Sequence, residues 1–434
     1  MKKKIALLIV AILSLSVLAA CGGGTTETAT TEPAETTEAE DPADDTEEAP
    51  AVDTGDREEI MFWHYMNPEA DGAIIAEMIN EFNGIQDDIY VHVEFLPRDE
   101  LMRQFTIGAV SGELPDVGMV DNPDHASFAS MGIFADITDR FNAWDENQFL
   151  EGPMNSTILD GRIYGVPWAS NCLALWYNVE MLNEAGVDVP ETWSELEEAA
   201  RTLGSDDVFG LAISAIGNEE GTFQYLPWLL SSGGDVNHMD SAGSMESMEY
   251  LHGLIEEGLM SREVISWTQA DAQAQFAAGR AAMMINGPWQ LAAMASDAPD
   301  LEFGVARVPR ADDGVHASVL GGENLVITDV GNVDASWEFV QWISNPENSV
   351  RFNIGRGTFS PRSDIDNEVV FADDPFLLLF AEVLPDAQPR GPHPRWPEIS
   401  NAISTALHEV LTGQKDVETA MTDAQATVDE INAE

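Results

Sequence analysis

"EIMFWHYMNPEADGAIIAEMINEFNGIQDDIYVHVEF", residues 59–95, changes its apolar spacing twice. Large side chains crowd 59–65 as in a strand, Ile74, Ile75, Met78, Ile79 and Phe82 recur at helical spacing, and 90–95 is again dense in strand-forming residues. A second amphipathic helix is expected through Leu101, Phe105 and Val110, ending near Gly112, with a third strand over 116–120. Strand, helix, strand, helix, strand is the pattern of a parallel sheet whose crossovers are helices.

Further along, Thr192 and Glu195 form a capping box behind Pro190, so a helix should start near Trp193 and run to Leu203. Strands are expected over 209–213, 281–285, 303–308 and 325–328, and helices over 399–411 and from Val417 onward, with Gly413 as the stop between them. The part after residue 55 is too long for one ordinary core, which argues for two lobes.

Upstream, Lys2, Lys3 and Lys4 precede an apolar run over 5–20, the layout of a secretion signal; an N-terminal anchor helix is the alternative, although the run is short for a membrane span. Leu18-Ala19-Ala20-Cys21 resembles the lipobox of bacterial lipoproteins, which implies cleavage before Cys21 and a lipid on its sulfur. Residues 25–55 carry eleven acids and no base and are expected to be an unfolded spacer. Without those acids and the three leading lysines, residues 56–434 keep 66 of the 77 acids and 16 of the 19 bases, a formal charge of −50. That field argues against nucleic acid and against anionic membrane surfaces as partners. Lys415 is the only lysine left, a composition suited to salty or alkaline surroundings, and Cys172 has no second thiol to pair with once Cys21 is lipidated.

Several chemistries lack their residues. Lys415 is not in a phosphate-binding loop, no Gly-x-Ser-x-Gly or His-Glu-x-x-His occurs, and the eight histidines are scattered. Neither a cofactor nor a metal is called for. Carboxylate pairs for glycoside hydrolysis stay open, because so acidic a chain offers them everywhere. Tryptophans stand instead at breaks in the pattern: Trp63, Trp168 in "YGVPWASN", Trp228, Trp289 in "INGPWQ", and Trp396. Rings beside amides and carboxylates suit a sugar, whose C–H faces stack and whose hydroxyls need fixed partners; the same rings would serve equally as core anchors.

The stretches "SGELPDVGMVD" (111–121), "YGVPW" with "LWYNVEMLNEAGVDVPETWSEL" (within 164–196), "LSSGGD" (230–235), "FAAGRAAMMINGPW" (276–289), "GGENLVI" (321–327) and "EFVQWISNPEN" (338–348) occur in the order found in solute-binding proteins of ABC importers. The chain resembles that family, which includes maltose- and multiple-sugar-binding lipoproteins, over essentially all of 57–434. The resemblance implies an α/β, two-lobed periplasmic-binding-protein-like fold of type II with the ligand cleft between the lobes. It divides the chain into a signal peptide (1–20), a lipidated Cys21 with its spacer (21–55), an N-terminal lobe (56–167 and 311–362) and a C-terminal lobe (168–310 and 363–434), with crossings near 167, 310 and 362.

The implied partners are a sugar, expected to be an oligosaccharide, and the transmembrane subunits of a permease. The membrane is reached through the lipid alone, at the extracellular face or the periplasmic side of a cell with an outer membrane, and the protein is expected to be a monomer without enzymatic activity. By position, the resemblance assigns Trp63 and His64 to the lip of the N-terminal lobe and Asp121 and Asn122 to the end of the third strand. Trp168 and Asn171 follow the first crossing, Phe223 and Tyr225 occupy a segment that supplies a stacking ring, and Trp289 and Trp396 are candidate sugar platforms. Gly321, Gly322, Glu323 and Asn324 form a turn toward the cleft. Arg356 either reaches the ligand or pairs with an acid, and an anionic ligand stays open if Arg356 and Arg395 converge. A secreted hydrolase and a surface binding or sensing module on the same fold remain as alternatives.

Overall fold

Two open sheets, one of five strands and one of four, organise the chain in a computed structural model that describes residues 54–68 and 72–433. The leader, Cys21 and the acidic spacer lie outside the described residues.

In the first sheet, strand Glu58–His64 pairs in parallel with Ile89–Phe95 on one side and with Val117–Asp121 on the other. Helix Ala73–Ile85 buries Ile75, Met78, Ile79 and Phe82, the stripe its spacing prescribes. Helix Arg98–Ser111 ends at Gly112, whose φ of +77° places its N–H on the Gly108 carbonyl at 2.8 Å. It buries Leu101 and Phe105, but Val110 is 92% exposed, contrary to the sequence reading. The cause is at Gly108, where an added Cβ would lie 2.3 Å from Leu114: the last inward turn packs through bare backbone and leaves Val110 on the outer face.

The first three strands pair in parallel as their spacing predicts, and the remaining two run the other way. Glu323–Ile327 runs antiparallel to Val117–Asp121, and Gly165–Pro167 runs antiparallel to Glu323–Ile327. Parallel pairing holds only where a helix carries the chain back to the same edge; these two strands arrive and leave as passages between lobes.

The second sheet has the order Phe303–Ala306, Ala174–Asn178, Ala281–Asn286, Phe209–Ala212, with only the last pair parallel. Helix Trp193–Leu203 opens with the capping box, the Thr192 side chain accepting from the Glu195 N–H. Helix Trp396–Leu411 starts earlier than the sequence reading because Pro397 fits a first turn, and with Val417–Ala433 it packs on Glu219–Ser231 and Ala242–Glu256.

The chain passes between the sheets along paired extended segments. Asn171 and Gly321 exchange N–H···O bonds of 3.0 and 2.9 Å, and Ser170 and Phe359 exchange bonds of 2.8 and 2.9 Å. Val308, Ala311 and Val319 join the core of the second sheet whereas Leu325 and Ile327 join that of the first, so the middle passage lies at Gly321–Gly322, C-terminal to residue 310. Gly322 has a φ of +143°, and an added Cβ there would lie 2.1 Å from the Ala169 carbonyl oxygen.

Candidate functional site

At the ends of these strands, a cavity of about 270 Å³ opens between the two lobes. The five-stranded lobe lines it with Tyr65, just past the first strand, Asp121 at the end of the third, and Glu323 at the start of its antiparallel neighbour. Glu323 is fixed from both sides, accepting from Arg356 Nη1 at 2.9 Å and from the Tyr65 hydroxyl at 3.4 Å. Burial, with Glu323 beside it, pushes the Tyr65 phenol far above its usual range, so it stays a neutral donor. The pairing of Arg356 with Glu323 is the salt-bridge outcome that the sequence had left open, formed on the cavity wall itself.

The four-stranded lobe contributes rings and amides. Phe223 stands on helix Glu219–Ser231 and Trp289 on the short turn Pro288–Gln290, their ring centroids 6.2 Å apart. The Trp289 ring folds back over Gly287, where an added Cβ would lie 1.9 Å from it. Gly287 is thus what allows the ring to take this position. Asn171 stands on the cavity wall, its Oδ1 buried against Gly321 without a hydrogen-bond partner. Glu220 accepts from the Gln269 N–H at 3.0 Å, and burial raises its carboxyl above the ordinary range.

Arg390, carried past strand Ala387–Pro389, joins the two sides. Its guanidinium donates to Asp121 Oδ1 at 2.7 Å and to Glu219 Oε1 at 2.6 Å, reaches Asn122 Oδ1 at 3.2 Å, and lies 4.4 Å over the Phe223 ring. Asp121 also accepts from Arg98 Nη2 at 3.3 Å, and the same nitrogen binds Asp124 at 2.6 Å. Burial pushes Asp124 up to about 7 while the Arg98 charge opposes the rise. Arg98, Arg356 and Arg390 face Asp121, Glu219, Glu220 and Glu323 on this lining, so acids outnumber bases here and an anionic ligand is disfavoured. Arg395 does not converge with Arg356; it pairs with Glu398 at 2.6 Å.

Of the residues singled out in the sequence, Asp121, Asn171, Phe223, Trp289, Gly322, Glu323 and Arg356 meet at this cavity. The others do not line it. Trp168 is fully buried in the first core, stacked on Phe352 at 3.8 Å and edge-on to Phe62. Tyr225 is buried with its hydroxyl 2.7 Å from Ser247 Oγ, and Asn324 Nδ2 donates to Ser156 Oγ at 2.9 Å. Trp63 lies edge-on to Phe105 at 5.9 Å, and His64 is buried between Phe62 and Phe95. Asn122 stands behind the wall, its Oδ1 accepting from Arg390 at 3.2 Å and its N–H donating to the Gly322 carbonyl at 2.9 Å. Trp396 is 1% exposed, a core anchor whose indole N–H holds Glu219 Oε2 at 3.0 Å.

Tyr65, Arg98, Glu219, Glu220, Gln269 and Arg390 were missed. Tyr65 carried a signal, since it ends the first strand and starts the loop above it; the arginines carried only their rarity in an acidic chain. Cys172 is buried with its thiol toward the Phe380 carbonyl at 3.6 Å, and desolvation pushes it far above the reactive range.

The model of the bacterial extracellular solute-binding protein family matches residues 67–350. A binding protein of Brucella abortus (strain 2308) is 24% identical over 371 residues, covering 83% of this chain and 90% of that protein. The maltotriose-binding protein of Pyrococcus abyssi is 24% identical over 371 residues, 82% of this chain and 78% of its own. Among solved structures, an ABC transporter solute-binding protein from Thermotoga lettingae, bound with α-D-tagatose, superposes with a TM-score of 0.78 at 25% identity, over 86% of this chain and 99% of the other.

Proposed function

The chain belongs to the bacterial extracellular solute-binding protein family, and from that premise we propose that it is the lipid-anchored, sugar-binding subunit of an ABC importer. One observation carries the reading: a pair of rings, Phe223 and Trp289, faces a cavity whose other wall is a fixed set of hydrogen-bonding groups at strand ends. Rings take the C–H face of a sugar, and Asn171, Asp121 and Glu323 take its hydroxyls. The relatives bind, by their names, sugars as different as maltotriose and tagatose, so the class is supported by likeness and the individual sugar is not.

The cavity's paired acids are built to bind rather than to turn over. Asp121, Glu219 and Glu323 are each held in a salt bridge by an arginine and so are fixed as acceptors; Glu220, whose carboxyl burial raises, is the acid on this wall that glycoside hydrolysis would need as its proton donor. The lipid on Cys21 would hold a monomer outside the cell, with the acidic spacer as its tether, and closure of the two lobes on sugar would create the surface read by the permease.

Closure is the step to test. Solution scattering with a sugar found by thermal shift should show a smaller radius of gyration than the sugar-free protein, because a ligand touching both walls adds to the contacts that favour the closed form. An unchanged radius at saturation would remove the importer reading, and release of a cleaved product would replace it with the hydrolase.

A further inference from the structure

The cavity has a neighbour. Beyond Arg98 and Glu219 lies a second space of about 540 Å³ between the same two lobes, lined by Met102 and Phe128 on one side and by Asn218, Arg395 and Asn401 on the other. Arg98 and Glu219 present surface to both spaces; Asp121 faces only the first and Asp124 only the second. What separates the two is therefore a wall of ion pairs running from lobe to lobe: Asp124 to Arg98, Arg98 to Asp121, Asp121 to Arg390, Arg390 to Glu219.

We propose that this wall sets the length of the ligand, ending the binding chamber at a mono- or disaccharide and shutting longer chains out of the adjoining space. The proposal rests on the sugar reading and narrows it from the oligosaccharide suggested by the sequence. Size is the first support: about 270 Å³ falls below the range of about 300–1,000 Å³ usual for small-molecule sites, while the two spaces joined would sit well inside it.

Rigidity is the second support. The Arg390 side chain is 3% exposed and bonded to both lobes, and its face is covered by Phe223. A sugar hydroxyl that displaced it would leave buried charges without partners, which a neutral group cannot repair. The rings provide the third, since Phe223 and Trp289 both stand on the first chamber's wall and neither lines the second.

The full-length mature protein would be titrated with glucose, maltose, maltotriose and maltotetraose, and with the matching cellulose- and mannan-derived series, following intrinsic tryptophan fluorescence. In whichever series binds, affinity should peak at one or two rings and fall by about tenfold or more at four. Arg98→Ala breaches the wall, and Arg98→Ala with Asp124→Asn does so without stranding the Asp124 carboxylate; either should bring the four-ring sugar to within about threefold of the two-ring one. A wild-type protein that binds maltotetraose as well as maltose overturns the proposal and leaves the sugar reading intact. So does a pair of folded variants, checked by circular dichroism, that keep the wild-type length profile. Failure of every series to bind the wild type overturns the sugar reading itself.

Discussion

The five-stranded lobe meets the cleft with charged and phenolic groups at strand ends, Tyr65, Asp121 and Glu323, while the four-stranded lobe supplies the rings, Phe223 and Trp289, on a helix and a turn, beside the helix-borne Glu219 and Glu220. Strand ends are held by a ladder of main-chain bonds, so polar groups mounted there point in fixed directions, which is what discrimination among hydroxyls requires. Rings give contact area that tolerates small rotations of the ligand. Acceptors fixed at strand ends are thus concentrated on one lobe and ring contact on the other. Both cores bury tryptophans, Trp176, Trp193, Trp228 and Trp396 in the four-stranded lobe and Trp144, Trp168 and Trp337 in the five-stranded one, but the five-stranded lobe also buries the imidazole of His125.

The largest effect that could break this contrast is acid. Burial pushes the His125 imidazole down to about 3, with the Phe134 ring 5.4 Å away and only Asn324 near Nδ1. The unfolded chain takes up that proton at about 6.5, so the stability this residue contributes is complete above 6.5 and is lost as pH falls toward 3. At about 1.4 kcal/mol per pH unit the loss is on the order of 5 kcal/mol. Asp124 titrates with the opposite sign, its raised carboxyl favouring the folded state as pH falls from about 7 toward 3.8. The measurement is therefore the difference between wild type and His125→Gln, in which that term cancels. Hydrogen exchange on acidification should open 117–129 and 323–327 before 174–178 and 281–286. A four-stranded lobe that opened first would end the comparison.

Next in size is Trp168→Ala, expected to lower stability by about 3–5 kcal/mol because it empties a site between Phe62 and Phe352. Sugar affinity of the folded fraction should stay the same, as read by denaturant melts followed by titration of the refolded protein. Trp289→Ala sharpens the same contrast from the other lobe and with the smallest effect: affinity should weaken by about 1–3 kcal/mol while the melting temperature without sugar hardly moves. If the two outcomes were exchanged, the assignment of core and platform would be the wrong way round.

These two tryptophans also show how far the sequence can be read. Both follow proline at a break in the pattern, and both looked equally suited to a sugar. Nothing local reveals that Trp168 enters the gap beside Phe352, far along the chain, or that Gly287 lets Trp289 fold flat toward the cleft. Elements governed by neighbours were readable, as with the stripe of Ala73–Ile85 and the Thr192 capping box. The ion-pair wall was not, because Asp121 and Arg390 are 269 positions apart and are brought together only by the passages between lobes.

Those passages have a mechanical consequence. Segments 169–171, 321–323 and 359 are not separate strings but a narrow ribbon, cross-linked by the paired bonds of Asn171 with Gly321 and of Ser170 with Phe359. A single strand swivels about any bond, whereas a cross-linked ribbon flexes across its thin dimension and resists shear in its plane. Rotation of one lobe against the other would therefore be confined to nearly one axis, like the leaf of a spring, and the tight seat of Gly322 against Ala169 is where that leaf is clamped.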